Sequence, residues 1–598
     1  MARTTSDHIV ERLLDWGIDT IFGINGDAVN GFFESLRTHA DRMRYVHVRH
    51  EENAALAAVG HAKFTGRPAA CVSTAGPGAV HLLNGLYDAE VDGVPVIAIT
   101  GMTYHDVIGA HLLQDLNSDY LFRDACAFSE RVMGPAHAVN ATDLAVRKAL
   151  AAGAPGHLAI PIDIQSWTED TWSDKNPAGH TSLATQRHVV APPEEQLRQA
   201  AALLGDCRNV VIMAGAGARG AGQELEQVAE TLAAPIVKAG LGKDSVPDDS
   251  PLTTGGMGLI GTRPSHEAME NCDGFLIVGS STPYYEFWPK PGQARAVQID
   301  NDPSKIGMRY PVEVGLAGDA HTVLSSLRPL LERKRDRSFL DNAQSGMAAW
   351  WQLQRDQAAG TERPMKPQAV AHHLGEVLPD RAVLTSDAGT VTAWGSRVPL
   401  RRGMSYSFSG THCTMGSALP YAVGAKIADP GRPVVALTGD GALSMGMGEL
   451  ATLAQYDLSI TVIVLRNDSL ALEAWEQNAM LGNPQYGCEL SPIDFAGVAE
   501  SCGVRAFRID KPPEVADLLS TALQRGGPTL VECVVDPYES PFAETIKPVQ
   551  AERIANAFER GEPARERMSR SMLESDRRGL SPAVRHSEHE LRRHGQQG

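Results

Sequence analysis

The chain has 598 residues, and 54 Lys and Arg against 72 Asp and Glu leave a net charge of −18. That length implies about three to five domains, and 43% hydrophobic residues supply several packed cores, which excludes a disordered or fibrous chain. The acidic balance argues against a nucleic-acid partner, no apolar run approaches the ~18–20 residues of a spanning helix, and the N-terminus has no signal-peptide core. In chain order, Ser6 or Asp7 is expected to cap a helix carrying Ile9, Val10, Leu13, Leu14 and Trp16 on one face, ended by Gly17. A short strand, Thr20–Gly23, follows, and further apolar runs at Ala69–Ser73 and Val94–Thr100 alternate with helical patterns to about Asp163. Ser166–His188 reads as a linker. A second unit opens near Pro192 with a helix and the strand Asn209–Ala214, and continues to about Arg333. The charged stretch Glu332–Arg337 and a helix around Phe339–Arg355 lead to a third unit, from near Lys366 to near Pro537, with strands Val434–Thr438, Ile460–Arg466 and Thr529–Val535.

Strands alternating with helices predict parallel sheets covered on both faces. The expected fold class is therefore α/β, with three doubly wound parallel-sheet domains at 1–180, 190–335 and 366–540. Residues 551–598 hold ten Arg, eight Asp and Glu and few large apolar residues, so 545–598 reads as a flexible tail. Eight cysteines spread from Cys71 to Cys533, with no Cys-x-x-Cys pair, suit a reducing compartment and speak against a zinc site. A cytoplasmic location is the expectation.

The third unit carries the sharpest signal. Its strand Val434–Thr438 runs into Gly439-Asp440-Gly441, and a helical pattern follows. Glycines let a backbone approach a phosphate closely, and a helix N-terminus offers free N–H groups. After 25 intervening residues the strand Ile460–Arg466 ends at Asn467. Parallel strands finish at the same sheet edge, where ligands bind, so Asp440 and Asn467 are placed to face one another as the hard oxygen donors that Mg²⁺ favours. Taken alone, Gly-Asp-Gly reads equally well as a tight turn.

With Asn467 at this distance, the segment resembles the motif of the thiamine diphosphate (ThDP) enzymes. The resemblance implies that Asp440, Asn467 and the Ser469 carbonyl bind Mg²⁺, and that Gly441, Ala442, Asp468, Leu470, Ala471, Leu472 and Glu473 bind the cofactor. Thr411–Pro420 resembles the family segment carrying an apolar wedge: Met415 would hold the cofactor bent, with the Cys413 carbonyl and Thr414 at its aminopyrimidine. By itself Met415 reads as core filling.

Arg49-His50-Glu51-Glu52-Asn53-Ala54-Ala55 joins a strand to a helix of small residues, and paired acids there are ordinarily caps or dipole partners. The family has an Arg-His-Glu segment whose Glu is catalytic, and only Glu51 matches it. A carboxyl in an apolar pocket has a raised pKa and can share a proton with the pyrimidine N1′. Ser73-Thr74-Ala75-Gly76-Pro77-Gly78, followed by a helix with Asn84 and Asp88, resembles the family's Gly-Pro-Gly loop. Gln114-Asp115 resembles a Phe-Gln-Glu segment lining the substrate pocket, with Leu113 in place of Phe and Asp115 in place of Glu, which implies a catalytic role for Gln114.

In the second unit Gly215-Ala216-Gly217-Ala218-Arg219-Gly220 is a G-x-G-x-x-G, but Lys238 stands where a dinucleotide site has its ribose-binding acid, so a standard NAD site is not expected. Downstream, Met257-Gly258-Leu259-Ile260, Ser280-Ser281-Thr282-Pro283-Tyr284 and Asp300 resemble the FAD-binding middle domain of pyruvate oxidases and pyruvate:quinone dehydrogenases. By that resemblance the first two segments line the flavin or its phosphates and Asp300 takes the ribose; a plain spacer domain, as in nonflavin relatives, is the alternative. Nine residues after Asn467 stands Glu476, where pyruvate oxidases carry Glu and acetohydroxyacid synthases carry Trp. Trp475 immediately precedes it.

The resemblance spans about residues 3–545 and makes the three domains pyrimidine-binding, FAD-binding and diphosphate-binding. It implies ThDP, Mg²⁺ and FAD as cofactors, and oxidative decarboxylation of pyruvate or a similar 2-oxo acid to acetate or acetyl phosphate, with quinone or O₂ as electron acceptor. It also implies a homodimer or homotetramer with sites between subunits, and, for a quinone acceptor, peripheral contact with the inner face of a membrane. The rival activities are an acetohydroxyacid synthase-like carboligase with non-redox FAD and a non-catalytic cofactor-binding scaffold.

Overall fold

The structure is a computed structural model that describes residues 2–168, 173–176, 181–183, 190–542 and 546–576. Its first sheet is built from β1 (Thr20–Gly23), β2 (Arg44–His47), β3 (Ala70–Ser73), β4 (Ile97–Met102), β5 (Phe128–Arg131) and β6 (Gly156–Pro161). The second contains β7 (Val210–Ala214), β8 (Ile236–Lys238), β9 (Thr253–Gly256), β10 (Gly274–Val278), β11 (Arg295–Asp300) and β12 (Val314–Ala317). The third contains β13 (Val383–Ser386), β14 (Ser405–Ser407), β15 (Val434–Gly439), β16 (Ile460–Arg466), β17 (Arg505–Ile509) and β18 (Thr529–Val534). The strand orders are β2-β1-β3-β4-β6-β5, β12-β11-β10-β7-β8-β9 and β14-β13-β15-β16-β18-β17. The first and third sheets thus share one topology, while the middle sheet reverses direction between β7 and β10. These reversals open crevices at the carboxyl edges of the strands, where ligands of such folds bind.

The central strands are nearly continuous apolar runs, as both-face burial requires, while edge strands such as β5 (Phe128–Arg131) and β17 (Arg505–Ile509) carry charged residues. The helix Glu51–Thr65 is buried continuously from Asn53 to Ala62, so it is covered on every side rather than on one stripe. One covering is the helix Ala418–Ala428 of the third unit, and residues of both helices belong to one hydrophobic core that joins the first and third sheets. Their backbones touch. A Cβ on Gly60 would lie 2.5 Å from the Tyr421 Cα, and one on Gly424 would lie 2.0 Å from the Ala57 oxygen. Only glycine permits such an approach.

Two expectations need correction. The first helix, Thr5–Asp15, is capped by Thr4, not by Ser6 or Asp7; Thr4 and Asp7 form a reciprocal capping box, so Asp7 serves as the N3 partner. The segment read as a flexible tail contains two helices, Pro548–Glu559 and Arg565–Asp576, with Ile554, Ala557, Phe558, Ala564 and Met568 buried against Trp475, Ala479 and Phe542. Arginines on the outer face mask this helical spacing in the composition. Residues 543–545 and 577–598, and 169–172, 177–180 and 184–189 of the expected linker, lie outside the described residues. Among the described residues no helix is long and apolar enough to cross a membrane.

Candidate active site

β15 and β16 are parallel neighbours with Gly439 opposite Leu465, so the residues that follow emerge side by side. Asp440 Oδ2 accepts the backbone N–H of Asn467 at 3.0 Å and of Asp468 at 2.5 Å, and its Oδ1 accepts that of Gly441 at 2.9 Å. Asn467 Oδ1 accepts the N–H of Ser469 at 3.0 Å. Burial raises the Asp440 carboxyl, and the N–H groups of Asp468, Gly441 and Asn467 oppose that rise. Asp468 makes the turn with φ 54° and pairs with Arg466 at 2.8 Å. A carboxylate and an amide oxygen fixed at one sheet edge, with backbone carbonyls beside them, fit Mg²⁺ and a diphosphate.

Met415 is brought to the same place. A Cβ on Gly441 would lie 3.3 Å from Met415 Cε, 3.2 Å from Leu470 Cδ2 and 3.2 Å from Leu490 Cδ1. Three apolar side chains therefore close around a glycine beside Asp440. Met415 is half-buried, unlike a core filler. Its loop is held on both flanks. Cys413 stands at φ 55°, in a region costly for a non-glycine residue. On the far side Asp387 Oδ1 accepts the N–H groups of Gly416 at 2.7 Å and Ser417 at 3.1 Å, and its Oδ2 the Thr438 hydroxyl at 2.8 Å.

In the first unit Glu51 opens the helix Glu51–Thr65, whose cap is the His50 ring, accepting from Glu52 N–H at 3.2 Å. Neither acid is the cap. Glu51 Oε2 lies 3.0 Å from His81 Nδ1, and the His50 and His81 rings stack with centroids 4.5 Å apart. Glu52 instead accepts from Asn84 at 2.7 Å. A Cβ on Gly78 would lie 3.0 Å from Glu51 Oε1, and one on Gly76 would lie 2.7 Å from Gln114 Cβ. Glu51, the Gly76–Gly78 turn and Gln114, itself at φ 60°, thus form one cluster.

Asn84 ties this cluster to the third unit: its amide also donates to the Thr414 hydroxyl at 2.8 Å, and its oxygen meets His412 Nε2 at 2.8 Å. Deeper, Lys63 donates to Asp92 at 2.6 Å and to the Tyr421 hydroxyl at 2.9 Å, and Tyr421 in turn bonds Asp88. Asp88 takes the Ser409 hydroxyl at 2.6 Å, and Ser409 accepts from Thr414 N–H at 2.9 Å.

The middle-unit segments lie at the carboxyl edge of their sheet. Met257–Ile260 follow β9, Ser280–Tyr284 follow β10, and Asp300 ends β11. Asp300 is buried, and its carboxyl, raised by that burial, accepts the N–H of Asp302 at 3.0 Å. Lone pairs remain for ligand hydroxyls. Lys238 is buried and bonded to Asp248, which also pairs with Lys243 at 2.8 Å. These lysines, with Gly256, Met257, Ile260 and Tyr406, border a small cavity of about 30 Å³ at the boundary with the third unit. Tyr284 lies beside the Cys413 thiol, and Leu259 and Leu472 both pack against the cluster that contains Trp475. Trp475 is fully buried, edge-on to Phe542. Glu476 is half-buried, its carboxyl raised by burial and by Glu473.

Asp387, His81 and Glu449 are not singled out by sequence pattern. Asp387 had a usable signal, since it follows a strand as Asp440 does; His81 stands one helical turn beyond the Gly-Pro-Gly loop.

Comparison with known proteins gives three consecutive matches. Residues 3–121 match the N-terminal TPP binding domain of thiamine pyrophosphate enzymes, 197–327 the central domain and 387–533 the C-terminal TPP binding domain. The chain belongs to the thiamine pyrophosphate enzyme family. It is 37% identical over 540 residues to the thiamine pyrophosphate-containing protein YdaP of Bacillus subtilis, covering 90% of this chain and 92% of that one. It is 30% identical over 536 residues to a pyruvate oxidase of Lactiplantibacillus plantarum, covering 88% of each chain. To an acetolactate synthase large subunit of Methanocaldococcus jannaschii it is 31% identical over 557 residues, 90% of this chain and 92% of that one. The three α/β domains and the ThDP-binding assignment of the outer two follow from these matches.

Proposed function

We propose that this enzyme decarboxylates pyruvate or a similar 2-oxo acid oxidatively, using ThDP, Mg²⁺ and FAD. The balance is 2-oxo acid plus water plus FAD giving the shortened acid, CO₂ and FADH₂; phosphate in place of water would give the acyl phosphate. The observation that carries the proposal is the convergence of the middle unit on the third, with Tyr284 beside Cys413 and Leu259 against the cluster that contains Trp475. A spacer domain has no need of that contact. ThDP when bound supplies an electron sink for decarboxylation, and FAD a two-electron acceptor.

The chain's own residues bind and orient. Asp440, Asn467 and the Ser469 carbonyl would hold Mg²⁺, while Met415, Leu470 and Leu490 shape the space beside Gly441. Glu51 would share a proton with the pyrimidine N1′, and the glycine turn at Gly76–Gly78 leaves its carboxylate uncrowded. Gln114 and Glu476 would contact the substrate. Met257–Ile260, Ser280–Tyr284 and Asp300 hold FAD.

A dimer is part of the proposal. Leu112, Leu113, Leu116 and Tyr120 on the first unit, and Met445, Leu481 and Tyr486 on the third, expose large apolar side chains of the kind that mark association surfaces.

The second function is that of an acetohydroxyacid synthase-like carboligase, favoured by the matching identity to an acetolactate synthase. Anaerobic addition of pyruvate separates the two. Bleaching of the bound flavin is expected; a flavin that stays oxidised while CO₂ is released supports the carboligase and overturns the oxidase proposal.

A further inference from the structure

The segment that carries Glu51 is gripped from the third unit of the same chain. Glu449, the first residue of the helix Glu449–Gln455, is 1% exposed. Its Oε1 accepts the Arg49 N–H at 2.7 Å and the Asn53 side-chain amide at 3.0 Å, while its Oε2 accepts the Thr452 hydroxyl at 2.6 Å. Beside it, the Tyr456 hydroxyl accepts the His47 N–H at 2.8 Å, and Gln455 accepts from the Arg49 guanidinium at 2.7 Å. A Cβ on Gly448 would lie 3.3 Å from Arg49 Cβ, so the two segments are in close contact as well as bonded.

Arg49 and Asn53 bracket Glu51, two residues away on either side. A single carboxyl oxygen therefore holds both the approach to the helix and its first turn.

We infer that Glu449 is the positioning residue for Glu51: by binding Arg49 N–H and the Asn53 amide through one oxygen, it fixes where the Glu51 carboxylate stands relative to the aminopyrimidine. The inference rests on the proposed role of Glu51 in proton exchange with the cofactor. It assigns a function to a residue more than 390 positions away in sequence, on the unit that otherwise serves the diphosphate. Geometry rather than charge is the operative property. Glutamine at this position keeps the length and the acceptor oxygen, and its amide can donate to Thr452. Aspartate keeps the charge but is one methylene too short to reach both donors.

The test is turnover and ThDP affinity for Glu449→Gln, Glu449→Asp and Glu449→Ala, each alone and, for Ala, combined with Glu51→Gln. Misplacing a reacting group by about 1 Å costs on the order of 100-fold. Glu449→Asp and Glu449→Ala should lose about 10- to 100-fold in kcat with ThDP affinity little changed, while Glu449→Gln retains most turnover. Adding Glu449→Ala to Glu51→Gln should produce no further loss, because a residue acting only through Glu51 has nothing left to position. Full turnover in Glu449→Asp, or losses that multiply in the double variant, overturns the inference while leaving the role of Glu51 intact. Full turnover in Glu51→Gln removes that role and the inference with it. If Glu449→Ala does not fold, the contrast between Gln and Asp carries the same decision.

Discussion

Asp387 accepts the backbone N–H of Gly416 at 2.7 Å, and so anchors the residue that follows Met415. The same oxygen takes Ser417 N–H, and the other takes the Thr438 hydroxyl of β15. The loop that shapes the cofactor space is thereby attached to the sheet edge that bears Asp440.

Burial pushes the Asp387 carboxyl from 3.8 up to about 6, against the lowering effect of its four hydrogen-bond donors, the Thr438 hydroxyl and the N–H groups of Gly416, Ser417 and Ala388. The folded chain therefore holds this proton more tightly than the unfolded chain. Its contribution to stability is complete below about pH 3.8 and is lost as pH rises through about 6. Urea unfolding of wild type and Asp387→Asn should show a stability difference that changes by up to ~3 kcal/mol across this window. A pH-independent difference would mean that Asp387 is not buried as a titrating group.

Glu51→Gln should bind ThDP and lose about 10²- to 10⁴-fold in turnover, the range expected when a positioned proton-transfer group is removed. The amide keeps the shape of the carboxylate but not its capacity to share a proton. ThDP binding followed by tryptophan quenching, with CO₂ release as the activity measurement, separates these two effects. Near-wild-type turnover would remove Glu51 from the mechanism.

Asp440→Ala should lose Mg²⁺ and ThDP together, because the diphosphate charge requires the metal bridge. The substitution also leaves the N–H groups of Asn467 and Asp468 without their acceptor. Unchanged ThDP affinity in the presence and absence of Mg²⁺ would show that the metal is held elsewhere.

Phe558→Ala should destabilise the fold by about 3–5 kcal/mol, the usual cost of truncating a buried aromatic side chain. Phe558 packs in the cluster with Trp475, and Asn478 donates to Glu562 at 2.9 Å, so the C-terminal helices brace the segment that carries Glu476. A red shift of tryptophan emission should accompany the loss. An unchanged urea midpoint would mean that these helices contribute nothing to that segment.

What the sequence discloses depends on how local the determinant is. Asp440 and Asn467 are legible because each follows an apolar strand, and two parallel strands bring their ends together without further information. Met415 is legible only by resemblance, since its apolar neighbours Leu470 and Leu490 come from another loop. Asp387 follows a strand as Asp440 does, but its partners at Gly416, Ser417 and Thr438 cannot be read from that; Glu449 is invisible to pattern because its partners lie nearly 400 residues away. The C-terminal helices are misread for a different reason: Ile554, Ala557 and Phe558 keep helical spacing, but a compositional count weighs the surrounding arginines more heavily than three well-placed apolar side chains.

The final prediction concerns association. Glu51 belongs to the first unit and Asp440 to the third, and both must reach one ThDP, the carboxylate at the pyrimidine and the metal at the diphosphate. Within one chain the two units share a core through the helices Glu51–Thr65 and Ala418–Ala428, and the Glu51 segment is fastened to Glu449. In the proposed dimer, that contact persists within each chain while the first unit of one chain meets the third unit of the other. An isologous pairing of this kind makes two equivalent sites. Activity should then fall on dilution below the dimer dissociation constant. Chains carrying Glu51→Gln and chains carrying Asp440→Ala, each inactive alone, should regain activity when mixed. In the mixed dimer one site combines two altered units, and the other combines the intact first unit of one chain with the intact third unit of its partner. At equal mixing about half of the dimers are mixed and each has one working site, so roughly a quarter of wild-type activity is expected from the two-fold pairing. Subunit exchange verified by mass-tagged chains, with no activity recovered, would place the whole site within a single chain.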